Sequence, residues 1–178
     1  MNLALLEPKS EIPTFKVVAH TGDTLSNDRI IGNASVISFF NTECIGSCED
    51  KLANLERVQQ QFFKTDRVRL ITITTNPDAD SLSVISDFAE KWKPVEGVWH
   101  FGNMKEKALT DNFVKQVFAG YQAGPSMDHF VLVDDSLRIR KYYIGTNKDS
   151  VDLMIRHLSM VMPREKKREI VYDPEKEK

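Results

Sequence analysis

The residues best equipped for chemistry are two cysteines, Cys44 and Cys48, and four histidines, His20, His100, His129 and His157. Two thiols four positions apart do not make the disulfide framework of a small secreted module, so their meaning must be local. They can close a disulfide, attack one in another protein, or hold a soft metal ion as thiolates. Thiolates joined by an imidazole select copper or zinc over hard cations, which makes a histidine the deciding third ligand. His157 falls in a closing helical stretch and His20 in an early turn, where solvated surface roles suit them. His100 sits within an apolar strand between aromatics. His129 stands just before the apolar run Phe130-Val-Leu-Val133 and after the loop Gly124-Pro-Ser-Met-Asp128.

The local sequence argues for an activated thiol. Asn41-Thr-Glu-Cys-Ile-Gly-Ser-Cys48 joins the buried run Ala34-Ser-Val-Ile-Ser-Phe-Phe40 to a helical pattern in which Leu52, Leu55, Val58 and Phe62 form one apolar face. Ser47 with Asp50 three residues on predicts an N-cap and puts Cys48 at the first helical position. Unpaired N–H groups and the helix dipole favour a thiolate there, so Cys48 is expected to be the more acidic thiol. Gly46 lets the backbone bend so that Cys44 can turn toward it.

The elements that must position this site alternate between β-type and helical patterns, as in an α/β sandwich. Phe15–Ala19 and the turn at His20–Asp23 predict an opening hairpin. Arg67–Thr74 predicts a central strand before the Asn76-Pro77 turn, and Gly97–Phe101 another strand. Helices are predicted over Ser81–Trp92, Lys105–Phe118 and Val151–Val161, and a hairpin over His129–Val133 and Arg138–Ile144. Trp92, Trp99 and Phe101 suit a core, while Asp78 and Asp80 suit turn positions. The expected organisation is an extension over 1–11, one domain over 12–162, and a charged, solvated tail over 163–178.

At 178 residues the chain fits one domain, with 41% hydrophobic and 28% charged residues. A formal net charge of −2 and a pI near 6.1 give no electrostatic reason to bind nucleic acid. No run of 18 apolar residues is present, and the apolar run near Met1 is too short for a signal peptide. A cytosolic protein, or one whose anchor lies outside this sequence, is expected. A peroxiredoxin loop, a Ser-His-Asp order, a Walker loop and a dinucleotide fingerprint are all missing.

Ile12-Pro-Thr-Phe15, Phe39-Phe-Asn-Thr-Glu-Cys-Ile-Gly-Ser-Cys48, and Asp128-His129 followed by Phe-Val-Leu-Val-Asp134 together resemble the Sco/SenC family of thioredoxin-like copper proteins. The resemblance runs from about Ile12 to the closing helix. It implies a thioredoxin-like fold, a central mixed sheet flanked by helices with an N-terminal hairpin, and copper, Cu(I) or Cu(II), held by Cys44, Cys48 and His129. It further implies a monomeric soluble domain anchored to the periplasmic side of the inner membrane, or to the mitochondrial inner membrane. Such a metallochaperone delivers copper to the CuA centre of cytochrome c oxidase, with subunit II as the acceptor. Two alternatives stay open: a thiol–disulfide oxidoreductase, with Cys44 or Cys48 as nucleophile, that reduces the acceptor's cysteines, and a copper or redox sensor. The chain departs from the family where proline commonly follows each cysteine, having Ile45 and Glu49. It also has Asn76-Pro-Asp-Ala-Asp-Ser81, with Ala79, in place of an arginine-containing acidic motif.

Overall fold

A computed structural model describes residues 6–165. Thirteen elements follow in order: β1 (Ser10–Glu11), β2 (Lys16–Ala19), β3 (Thr24–Ser26), α1 (Asn27–Ile30), β4 (Ala34–Phe40), α2 (Ser47–Phe62), β5 (Val68–Thr74), α3 (Leu82–Glu90), β6 (Trp99–Asn103), α4 (Lys107–Val117), β7 (His129–Val133), β8 (Arg138–Ile144) and α5 (Lys148–Val161). Among the described residues, the strands form one sheet in the order β1-β8-β7-β4-β5-β6-β2-β3. Strands β4, β5 and β6 run parallel, joined by helical crossovers. The β7–β8 hairpin lies antiparallel beside β4, and the β2–β3 hairpin beside β6. This is the expected mixed α/β arrangement. The tail beyond residue 165 lies outside the described residues.

All seven residues of β4 are buried, because helices cover both faces of the sheet at its centre. Strand alternation divides its side chains between two cores. Ala34, Val36 and Phe40 join Leu52, Leu55 and Val58 of α2, Ile85 of α3, and Met154 and Leu158 of α5. Ile37 and Phe39 join Phe15, Phe113 and Val117, the last two from α4. Some polar side chains at the centre pair with one another: the Ser38 and Thr72 hydroxyls are 2.9 Å apart, and Trp99 Nε1 donates to Thr72 Oγ1 at 2.9 Å. Trp92, Trp99 and Phe101 are core residues, as expected.

Several boundaries differ from the sequence expectations for identifiable reasons. Helix α5 begins at Lys148 rather than Val151, because the Asn147 side chain accepts from Ser150 N at 2.9 Å and caps an earlier turn. Ser10 and Glu11, placed in an N-terminal extension, pair with Ile139 and Arg138 of β8. His157, expected at the surface, is buried against β8, where Nδ1 meets the Tyr143 hydroxyl at 2.7 Å. His20, also expected at the surface, is half-buried, and its Nδ1 accepts from Phe101 N at 3.3 Å.

Candidate redox and metal site

The loop after β4 is fixed before it reaches the cysteines. Asn41 Oδ1 accepts from Glu43 N at 3.0 Å, closing a local turn. Thr42 is tied to Asp80: its N–H donates to Oδ2 at 3.1 Å and its hydroxyl donates to Oδ1. The Thr74 hydroxyl donates to the same carboxylate, which is 2% exposed. Asp80, expected to be a turn residue, therefore pins the cysteine loop to the end of β5. Its buried lone pairs are satisfied almost wholly by this contact. Asp80→Asn would turn an amide N–H₂ toward donor groups and is expected to cost about 2 kcal/mol in urea unfolding. A loss below about 0.5 kcal/mol would show that the loop does not depend on it.

Gly46, not Ser47, is the N-cap of α2. At φ 62° and ψ −121° it occupies backbone space open to glycine but strained for other residues. Its carbonyl accepts from Asp50 N at 3.1 Å, so Ser47 enters the first turn and the N-terminus has no side-chain cap. Cys48 is then the second helical residue rather than the first. Its sulfur still lies in the first turn, where unsatisfied N–H groups favour negative charge.

Cys44 and Cys48 form a disulfide, with Cα atoms 5.3 Å apart. Cys44 is 9% exposed and belongs to the α2-side core, whereas Cys48 is half-buried and packs against that core. Cys48 is thus the sulfur more open to an attacking thiolate. The disulfide sits in a cleft of about 230 Å³ whose lining includes Glu43, Ile45, Lys51, Met127 and Asp128. Ile45 is 80% exposed, giving the rim an apolar contact point. Glu49 pairs with Lys91 at 2.5 Å, an exposed ion pair that contributes little stability.

His129 lies at the same end of the sheet but on its other face. Phe130 and Leu132 point into the core that contains Cys44, and Val131 and Val133 into the opposite one. The two-residue period puts His129 with the latter pair. Its ring packs 5.0 Å from Tyr121, itself packed on that second core. Both ring nitrogens are engaged: Nε2 meets the Tyr121 hydroxyl at 2.8 Å, and Nδ1 meets Ser126 Oγ at 2.7 Å. Burial lowers the His129 pKa, partly opposed by Asp128. In this conformation the His129 ring is held by Tyr121 and Ser126. Among the described residues, no three His, Cys, Asp or Glu side chains are gathered as a metal ion would need. The reduced cysteines fit a soft cation as two thiolates. His100 is buried on β6 without a hydrogen-bond partner.

Lys51 was not singled out by its sequence context. It is 1% exposed, one helical turn beyond Cys48, and its ammonium donates to the Phe39 and Met127 carbonyls. Burial pushes its pKa down to about 8, with Asp128 partly offsetting the effect. The available signal was a lysine three residues after Cys48, on the apolar side of a helix, where an ordinary solvated lysine would not belong.

The SCO1/SenC family model matches residues 4–162. No curated protein sequence matches the chain. Three solved structures share its fold at low identity. BsSco belongs to the Sco family of cytochrome c oxidase assembly proteins and has a disulfide switch; it is 20% identical, over 87% of this chain and 95% of that one, with a TM-score of 0.74. A SCO1/SenC family lipoprotein from Bacillus anthracis is 18% identical, over 87% and 97%, with a TM-score of 0.72. Yeast Sco1 with copper bound is 19% identical, over 89% and 98%, with a TM-score of 0.66. With the family model matching residues 4–162 and the fold shared over most of the chain, this thioredoxin-like protein belongs to the SCO1/SenC family.

Proposed function

We propose that the protein is a thiol–disulfide redox component of copper handling, exchanging electrons between its Cys44–Cys48 couple and the cysteines of a copper-acceptor protein. The observation that carries this reading is the disulfide itself, set in an open cleft with Cys48 the more exposed of the two cysteines. In the reducing direction, the Cys48 thiolate attacks one sulfur of the acceptor's disulfide. That S–S bond breaks, and its electron pair leaves on the acceptor's second sulfur, which takes a proton. Deprotonated Cys44 then attacks Cys48 Sγ and expels the acceptor's first sulfur as a thiolate, which is protonated in turn. Two electrons and two protons pass to the acceptor, and the chain regains its disulfide. Incubating the reduced protein with an oxidised dicysteine peptide should yield reduced peptide and oxidised protein in equal amounts; no transfer would overturn this reading.

A second reading is delivery of copper, as cargo, to the CuA centre of cytochrome c oxidase subunit II through Cys44, Cys48 and His129. It is supported by the copper-bound yeast relative and by the two soft donors that reduction would expose. It requires one His129 ring nitrogen to be released from Tyr121 or Ser126. The acceptor's side of the membrane would be the periplasmic one, and the lipoprotein relative supports membrane anchoring of such a domain. Among the described residues no helix is long and apolar enough to cross a membrane.

His129→Ala separates the two readings. If exchange is the function, the variant should reduce the peptide at a rate within about tenfold of the parent, because the thiols retain their surroundings. It should also support oxidase assembly in cells. Assembly lost while peptide reduction and folding are intact would favour the copper triad instead.

A further inference from the structure

Resting on the dithiol reading, we propose that Lys51 is the counter-charge of the redox pair: its buried ammonium stabilises the thiolate formed when the Cys44–Cys48 disulfide opens. Lys51 lines the same cleft as both cysteines, yet is 1% exposed. The Phe39 and Met127 carbonyls grip its ammonium from β4 and from the loop before β7. A lysine is among the costliest residues to bury, and a neutral amide could donate to two carbonyls without carrying a charge into the core. Lys51 thus brings to the cleft a charge that its two carbonyl acceptors do not require.

The groups facing it make the same point. The cleft lining includes the carboxylates of Glu43 and Asp128 beside Cys44 and Cys48. Without a local cation, a new thiolate would meet two carboxylates and partial burial, both of which oppose ionisation. The Lys51 pKa, near 8, leaves it mostly protonated at neutral pH while the disulfide is closed. A thiolate in the same cleft favours the charged amine, so opening the disulfide should raise that pKa. Lys51 thus acts as a positioning charge that favours the reduced state and speeds attack by Cys48.

The test uses Lys51→Met, which removes charge and donors, and Lys51→Gln, which keeps an amide donor. Both variants should lower the equilibrium constant for reduction of the disulfide by glutathione about tenfold. Alkylation of reduced Cys48 by iodoacetamide at pH 7 should slow by a similar factor, as expected when a neighbouring cation is lost. If Lys51→Gln restores parental values while Lys51→Met does not, the role is hydrogen bonding and the proposal fails. Should either variant misfold, ¹³C NMR titration of Lys51 in the parent decides the matter: its midpoint must be higher in the reduced protein than in the oxidised one. An unchanged midpoint overturns the proposal. A parent whose reduced thiols cannot exchange with glutathione would instead overturn the dithiol reading beneath it.

Discussion

Cys48→Ser is expected to lower disulfide exchange at least a thousandfold, the largest effect of any single substitution in this protein. A serine hydroxyl is not ionised at neutral pH and forms no S–S bond, so no partial route survives. Cys44→Ser should behave differently. Cys48 remains near the N-terminus of α2 and can still attack a partner disulfide, but the resolving sulfur is gone. The mixed disulfide should therefore accumulate, visible on non-reducing gels as a species of added mass that dithiothreitol removes. The asymmetry follows from exposure: Cys44 is 9% exposed within the core, while Cys48 is half-buried at the cleft. If instead Cys48→Ser traps the mixed disulfide and Cys44→Ser is inert, the order of attack is reversed. Full exchange by both variants would exclude the couple as the working group.

The positions of the two cysteines were legible because strand–loop–helix placement leaves a strong local signature. A seven-residue apolar run, a glycine-containing loop and an amphipathic helix are all patterns within about thirty residues of sequence. The placement of His129 was harder to read. Sequence spacing puts it at the start of a strand next to β4, but which face it occupies depends on the register of β7, and one residue decides between the two faces. Here Val131 pairs with Ile37, and the period then sends the imidazole toward Tyr121. Asp80 and Lys51 were obscure for a different reason. A charged residue reads as solvated unless its partners are known, and these partners lie 38 and 76 positions away, at Thr42 and Met127. Gly46 in place of Ser47 at the N-cap is a subtler miss, since both residue types are favoured there.

Acid should destabilise this fold through His100 in particular. Its ring is 6% exposed on β6, and neither nitrogen has a hydrogen-bond partner among the described residues. Burial, together with the nearby Arg69 and His20 charges, pushes its pKa down to about 4; the Gly97 carbonyl and Asp23 pull upward but do not offset this. In the unfolded chain the same imidazole titrates near 6.5. Between those values the unfolded state binds a proton that the native state does not, so stability falls as pH drops from about 6.5 to 4 and is unaffected by this group above that window. The displacement corresponds to about 3 kcal/mol at the acid end. His20, His129 and His157 are lowered too and add in the same direction, so the parent alone cannot isolate the effect. His100→Phe can, because a phenyl ring fills a similar space and takes no proton. Urea unfolding at pH 7 and at pH 4.5 should show the parent losing about 2–3 kcal/mol more than the variant over that interval. Equal losses would mean that His100 charges in the native state, finding water or a carboxylate at little cost.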